Sequence, residues 1–252
     1  MNISEKLILA TVEKDGERAQ PHFPCLHLCY YAGEGGQLKS HYSIHQPQNS
    51  YLGILESESP QPMALPQKFA EDVVYEVRRL QFSGVFADIE DPEQQKVMLP
   101  ILDETLFKEN IPFFVPLSAE NYVSHAIVTL QTDVSGGSLE EYVSQYIKQY
   151  GAHRLAAHLV PICANYKMPA FKSTDSDLHP KDIQALIQKY HASTFYSNEL
   201  QCNYFTYMDE ESRGHFVVFD NARTLQKKME NLEAMGISYF FMVYPDYALF
   251  LA

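Results

Sequence analysis

The residues most suited to chemistry are two carboxylates, Asp88 and Glu90, at the end of the stretch FSGVFADIE. Side chains two positions apart on a strand point to the same side, so these two groups would crowd each other. Such crowding raises the pKa of one carboxyl group, which suits a general acid. The simpler interpretation is that Asp88, Glu90 and Asp91 only favour the start of a helix that follows Pro92.

An apolar strand must position these carboxylates. Residues 85–89 are apolar apart from Asp88, as in strands that are buried on both faces of a parallel sheet. In a barrel of parallel strands, the carboxyl ends form the mouth, where active sites lie. Glu56 and Glu58 follow another predicted strand, 51–55, and would lie near that mouth as a solvated rim or as additional ligand contacts.

The order of apolar segments along the chain predicts the fold class. Parallel strands are predicted at 6–12, 25–31, 51–55, 85–89, 111–117, 126–130, 155–162 and 237–244. Helices are predicted after Pro66, Pro92 and Pro180 and at 138–151 and 225–232, and 204–219 reads as a β-hairpin. Residues 13–16 are predicted to form a turn and 37–50 a loop. The chain is therefore predicted to be α/β, one (β/α)8 TIM barrel over 1–252, with the hairpin inserted before the last helix and strand. The barrel is trimmed, because several connections are short for a crossover helix.

Composition and charge exclude several classes of partner. The chain has 252 residues, of which 46% are hydrophobic, and a net charge of −13. This charge argues against binding of nucleic acid or of anionic membranes, and no segment approaches the ~20 apolar residues of a membrane span. The four cysteines lack metal-ligand spacing and are predicted to be reduced thiols. The amino terminus has no secretory signal pattern, so we expect a cytoplasmic protein. We also expect that it needs no metal and no cofactor.

The stretch FSGVFADIE resembles the DxxDxDxE strand of family 18 glycoside hydrolases, the chitinase-like barrels. The segment 204–246, YFTYMDEESRGHFVVFDNARTLQKKMENLEAMGISYFFMVYPD, is similar to the hairpin, helix and last strand of bacterial members of the spore-germination, cortex-lytic type. CLHLCYYAGEGGQL, TLQTDVSGGS and HLVPICANY stand, in order, where the family has its second strand, its Met-x-Tyr-Asp strand and its Gly-Leu-Pro-x-Tyr-Gly strand. The ordered set covers nearly the whole chain, and it adds a spore layer as an alternative location.

The resemblance implies a hydrolase that acts on N-acetylglucosamine-containing glycans, such as peptidoglycan or cortex fragments or chitooligosaccharides. In this family the nucleophile is the 2-acetamido oxygen of the substrate, so the two-carboxylate scheme of other glycosidases does not apply. By position, Glu90 would be the acid/base, Asp88 would orient the acetamide and Asp133 would contact the sugar or its acetamide. The substrate-binding residues would be Phe86, Glu56 and an aromatic residue of the last strand, Phe240 or, with a shifted register, Tyr244.

The sequence also departs from the family pattern. The departures are Ser83 and Phe86 in place of acidic or amide residues, Thr132 in place of Tyr, Cys163-Ala164 in place of Tyr-Gly and Phe240 in place of Trp. The chain has no Trp at all, and losing one donor aimed at a developing charge can lower a rate ~100- to 1000-fold. Three interpretations stay open: an active glycosidase, a catalytically impaired family-18-like carbohydrate-binding or structural protein, and an unrelated α/β barrel.

Overall fold

The computed structural model describes residues 6–12, 14–19, 22–44, 49–56, 65–134, 136–168 and 176–251. The chain divides into two compact units. The first unit comprises Met1–Leu130, Tyr150–His158 and Ile237–Tyr244, and the second comprises Gln131–Gln149, Leu159–Gly236 and Pro245–Ala252. The single domain expected over 1–252 stays a prediction.

The secondary structure follows the order that the apolar patterns predict. In chain order the strands are β1 (Leu7–Thr11), β2 (Cys25–Ala32), β3 (Leu38–Ser40), β4 (Tyr51–Leu55), β5 (Val85–Asp88), β6 (Phe113–Pro116), β7 (Ile127–Gln131), β8 (Leu155–His158), β9 (Cys163–Met168), β10 (Ser176–Asp177), β11 (Phe195–Ser197), β12 (Cys202–Met208), β13 (Gly214–Phe219) and β14 (Phe240–Val243). The helices are α1 (Lys14–Ala19), α2 (Pro66–Leu80), α3 (Met98–Lys108), α4 (Leu139–Tyr150), α5 (Pro180–Tyr190), α6 (Ala222–Ala234) and α7 (Tyr244–Phe250).

The first unit is a closed barrel of eight parallel strands. The strands β2, β4, β5, β6, β7, β8 and β14 follow one another around the ring, and β1 joins β14 to β2. Leu7 lies opposite Phe240 and Leu9 lies opposite Cys25, both in parallel register, which closes the barrel. The predicted (β/α)8 barrel is confirmed, and each of the predicted parallel strands is part of it.

Alternate side chains of these strands fill the barrel interior and its outer surface. One interior cluster is formed by Ile8, Leu26, Phe86, Phe114, Ala156 and Phe241. The intervening residues, such as Val85 and Ala87, point outward and are completely buried. The helix α2 buries Phe69, Val73 and Val77 at the predicted helical spacing. Side chains therefore fill the middle of the barrel, as in other TIM barrels.

The second unit contains a five-stranded antiparallel sheet in the order β10-β9-β13-β12-β11. The predicted hairpin is confirmed as β12 and β13, with Tyr204 opposite Val218. Sequence analysis missed the flanking strands β9, β10 and β11, which are short and contain polar residues. One face of the sheet packs against α5, where Ile183, Phe205 and Val217 form a buried cluster.

Other segments also differ from expectation, among them α7, which was not predicted. Residues 37–50 are predicted to be loop, yet Leu38–Ser40 forms β3, which pairs antiparallel with the end of β2. The strand is at the edge of the sheet and is largely exposed, so it lacks the apolar alternation that identifies buried strands. Residues 13–16 are predicted to be a turn, but the short helix α1 begins at Lys14.

Candidate active site

Three carboxylates come together at the carboxyl ends of β4 and β5. Asp88 is the last residue of β5, and Glu90 lies two residues beyond it. The parallel register places Leu55 opposite Asp88, which brings the next residue of that chain segment, Glu56, beside Asp88. Both Glu56 and Glu90 act electrostatically on Asp88. The predicted pair of carboxylates at the barrel mouth is therefore a group of three in this structure.

The carboxyl group of Asp88 holds its proton more tightly than an ordinary aspartic acid. Its pKa is raised above the usual 3.8, first because the surrounding protein removes water from it and then because of repulsion from Glu90 and from Glu56. The side chain still has an exposed surface, so a ligand can reach it. The crowding that the sequence predicts thus raises the pKa of Asp88.

An apolar ring lies under this carboxyl group. Phe86 precedes Asp88 by two residues on β5 and so points to the same side of the strand, into the barrel. Its ring is 8% exposed and packs edge-on against Phe241, with 5.2 Å between the ring centroids. This packing puts an apolar surface on the side of β5 that carries Asp88. It also leaves Phe86 little surface for the sugar contact that the sequence predicts.

Glu56 has a free acceptor atom in this cluster. The side chain is half-buried, and its Oε1 atom is buried without a hydrogen-bond partner among the described residues. A buried acceptor of this kind is rare unless a ligand or water completes it. Glu56 is therefore supported as a ligand contact, and Glu58, the other residue predicted near the mouth, lies outside the described residues.

The last barrel strand places its two candidate aromatic residues differently. Phe240 is the first residue of β14, at the amino end of the strand, and is completely buried. It therefore offers no surface to a sugar at the mouth. Tyr244 follows the carboxyl end of β14 directly and is half-buried, so it is the better placed of the two predicted residues.

The remaining predicted residue, Asp133, belongs to the second unit. It follows the end of β7 by two positions, and its side chain is exposed. The neighbouring Thr132 is buried, and its hydroxyl donates to the Val160 carbonyl oxygen at 3.5 Å and accepts from the Val160 N–H at 3.2 Å. The Thr132 hydroxyl therefore has a structural role, since it satisfies the backbone of Val160. The catalytic role of Asp133 stays a prediction.

His158 is a titratable residue at the mouth that the sequence analysis did not single out. It is the last residue of β8 and lies opposite Phe241 in the parallel register, so it shares the inward direction of that ring. The predicted strand 155–162 extends four residues beyond the end of β8, so the prediction places His158 in the middle of a strand rather than at the mouth. Its place at a strand end becomes visible only with the correct strand boundary.

Other kinds of site find no support in the described residues. Within them, no group of three or more His, Cys, Asp or Glu side chains is arranged to hold a metal ion. None of the helices there has the length and apolar character needed to cross a membrane. The four cysteines are free thiols, and burial raises the pKa of Cys25, Cys29 and Cys202 to about 12.

Comparison with known proteins supports the fold but not a particular activity. No protein-family model and no curated protein sequence matches this chain. Among solved structures, a chitinase from Chromobacterium violaceum superimposes with a TM-score of 0.67 at 15% identity, covering 94% of this chain and 93% of that one. The spore cortex-lytic enzyme SleL of Bacillus cereus gives 0.63 at 16% identity, with 94% and 70% coverage. A class V chitinase mutant from Nicotiana tobaccum in complex with NAG4 gives 0.64 at 12% identity, with 94% and 93% coverage.

These structural neighbours agree with the resemblance seen in the sequence. Chitinases and cortex-lytic enzymes have the same closed parallel barrel as this chain, so the predicted chitinase-like TIM barrel is confirmed as a fold. Identities of 15% and 16% establish nothing beyond the fold.

Proposed function

We propose that this protein is a glycosidase that cleaves N-acetylglucosamine-containing glycans with retention of configuration, and that Glu90 is its general acid. One observation carries the proposal: a carboxyl group of raised pKa, Asp88, lies beside Glu90 at the carboxyl ends of the strands of a chitinase-like barrel. Perturbed carboxyl groups in such a position are typical of catalytic sites.

The chemistry assigns a separate task to each carboxyl group. Glu90 donates its proton to the glycosidic oxygen as the bond to the leaving sugar breaks, while the acetamide oxygen of the substrate attacks the anomeric carbon. Asp88 accepts a hydrogen bond from the acetamide N–H and keeps the oxygen aligned. Glu90 then takes a proton from water, which opens the cyclic intermediate and restores the acetamide. Two inversions at the same carbon give net retention.

The ligand class rests on the same group of residues. Glu56 has an acceptor atom without a partner in the described part of the chain, which suits a sugar hydroxyl. Tyr244 provides a ring at the end of β14, on which the apolar face of a sugar can stack. Because the chain contains no Trp, we propose soluble oligosaccharides as substrates rather than crystalline chitin.

Two substrate sources correspond to two locations. One structural neighbour is a chitinase in complex with NAG4, which supports chitooligosaccharides as ligands. Another is a spore cortex-lytic enzyme, which supports peptidoglycan fragments and a spore-associated protein. Location in the cytoplasm or in a spore layer stays a prediction. A preference for peptidoglycan fragments would favour the spore layer.

A second candidate function is a glycan-binding protein without turnover. It is favoured by Thr132, which stands where the resembled family has Tyr and whose hydroxyl is engaged by the backbone of Val160. It is also favoured by Phe86, which puts an apolar ring beneath Asp88 where the family has a polar partner. Both candidates predict a bound oligosaccharide, so only turnover separates them.

The test is hydrolysis of a fluorogenic chitobioside and of soluble peptidoglycan fragments by the native protein, by Glu90→Gln and by Glu71→Gln. Loss of the general acid should lower turnover by at least ~100-fold. Glu71 is an exposed residue of α2, so its substitution is the matched control and should leave turnover unchanged.

Each result decides between the candidates. Equal residual activity in all three proteins would trace the hydrolysis to a contaminant and contradict the assignment of Glu90. Binding of an N-acetylglucosamine oligomer without turnover, measured by calorimetry, would favour the glycan-binding protein. If the protein neither binds nor hydrolyses these glycans, both candidates are wrong.

A further inference from the structure

A cavity lies at the end of the barrel opposite the carboxylate cluster. It has a volume of about 270 Å3 and is lined by residues at the amino ends of barrel strands, among them Phe113, Ile127 and Tyr239. Phe113 begins β6, Ile127 begins β7 and Tyr239 directly precedes β14. Asp88 and Glu90 lie beyond the carboxyl ends of the same ring of strands, so the cavity is separate from the proposed active site.

One polar group in the wall of this cavity is incompletely bonded. Asp103 of α3 lines the cavity and is only 3% exposed. Its Oδ2 atom accepts from the backbone N–H groups of Ser124 at 2.6 Å and of His125 at 2.9 Å. Its Oδ1 atom is buried and has no hydrogen-bond partner among the described residues. A buried carboxylate oxygen without a donor is costly, and a donor supplied from the cavity would remove that cost.

A pair of stacked rings lines the same cavity. The rings of Phe107 and His125 lie 3.8 Å apart between centroids at an interplanar angle of 9°. The His125 Nε2 atom is 3.4 Å from a carboxylate oxygen of Glu104, which fixes the imidazole. Phe107 is 56% exposed, although a ring of this size is usually buried. The pair is thus a preformed flat wall beside the Asp103 carboxyl group.

We propose that this cavity binds a small organic cation with a flat apolar body, such as an aryl amidinium or an arylalkylammonium ion. The N–H groups of the cation would donate to Asp103, and its body would lie against the stacked rings and the apolar residues Ile111 and Ile127. Asp103 and Glu104 disfavour an anion at this place. The volume is slightly below the roughly 300 Å3 at which pockets for drug-sized ligands begin, so the ligand is a small one.

The test uses benzamidinium as the probe and benzoate as the anion of the same shape. Each is titrated into the full, 15N-labelled chain, and backbone amide shifts are followed by NMR. We expect saturable shifts for Phe107, Asn110 and Ile127 with benzamidinium, and binding of benzoate weaker by at least about tenfold, because benzoate cannot donate to a carboxylate. Absence of saturable binding at millimolar benzamidinium would overturn the proposal.

Substitutions separate this cavity from the acidic mouth. Asp103→Asn should weaken benzamidinium binding by at least about tenfold. Phe107→Ala should weaken it severalfold, and because this ring is largely exposed, the variant is expected to fold even if Asp103→Asn does not. Asp88→Asn should leave the binding unchanged. Equal binding by the first two variants and the native protein, or shifts confined to residues 86–90, would overturn the proposal.

Discussion

Two aspartates in this chain have opposite surroundings. In the second unit, Asp220 is 3% exposed, and its oxygens accept from Lys228 Nζ at 2.6 Å, from the Ile162 N–H at 2.9 Å and from Thr224 Oγ1 at 2.7 Å. In the first unit, Asp88 is repelled by two other carboxylates of the described residues, Glu90 and Glu56. Removing one partner of a saturated buried ion pair is strongly destabilising, whereas crowded carboxylates reduce stability and are common at catalytic sites.

The largest expected effect comes from breaking the structural pair. Lys228→Met replaces a completely buried ammonium group with an apolar side chain of similar length and leaves Asp220 buried without its cation. The free energy of unfolding should fall by about 3–5 kcal/mol, the usual cost of removing one partner of a buried ion pair. Urea denaturation measures this change through its midpoint at constant slope.

The matched control removes both charges at once. The double variant Asp220→Asn, Lys228→Met keeps an oxygen that can accept from Ile162 and leaves no unpaired charge. It should recover more than half of the lost stability. A loss below about 1 kcal/mol for Lys228→Met alone, the value of an exposed ion pair, would show that Lys228 and Asp220 are not the buried structural pair described above.

The next effect concerns Thr132, whose buried hydroxyl, like the carboxyl group of Asp220, is hydrogen-bonded within the second unit. Thr132→Val removes the acceptor for the Val160 N–H and should cost about 1–3 kcal/mol, the range for a buried polar group left unsatisfied. Thr132→Ser keeps the hydroxyl and should recover most of that stability. Turnover per folded molecule should not change in Thr132→Ser. A variant that is stable but loses activity at least ~100-fold would place Thr132 in the catalytic group.

A smaller effect of opposite sign is expected at Asp88. Since the folded-state pKa is raised above the ordinary 3.8, the unfolded chain loses this proton first as the pH rises. Stability from this group is therefore complete below about pH 3.8 and falls as the pH rises through the interval up to the folded-state pKa. Asp88→Asn cannot ionise, so it should raise the melting temperature at pH 7 and leave it unchanged at pH 3. Turnover should fall in the same variant.

The comparison between the two pH values is the control for Asp88→Asn. An equal gain in melting temperature at pH 3 and at pH 7 would mean that packing is responsible rather than ionisation. No gain at pH 7 would mean that Asp88 is not destabilised by its neighbours. The gain should be smaller than the loss in Lys228→Met, because the Asp88 side chain keeps contact with solvent.

The sequence was sufficient to predict the elements that bury a continuous apolar surface. The barrel strands and α2 have strong apolar periodicity, and burial of that apolar surface determines where they lie. The strands β3, β9 and β11 are short and partly exposed, so their pairing depends on neighbours far away in the sequence. Their backbone hydrogen bonds leave no periodic signal in the residue types.

The candidate site was predictable in part for the same reason. Asp88 and Glu90 are neighbours in the chain, so their crowding follows from local geometry alone. Placing Glu56 next to them requires the register of Leu55 with Asp88, which no local pattern contains. The choice of Tyr244 over Phe240 depends on where β14 begins and ends, and strand boundaries are the least certain part of a sequence pattern.

The smallest expected effect tests whether the carboxylate cluster really has three members. Glu56→Gln and Glu90→Gln each remove one negative charge near Asp88, so both should lower its pKa, and Glu90→Gln should lower it more, because Glu90 contributes the larger repulsion. A 13C NMR titration of the Asp88 carboxyl carbon measures both shifts, with the exposed Glu71→Gln as the control. If Glu56→Gln has no more effect than the control, the cluster is a pair and Glu56 belongs to the solvated rim. If both variants lower the pKa in the expected order, Glu90 and Glu56 both act on Asp88, and the cluster has three members.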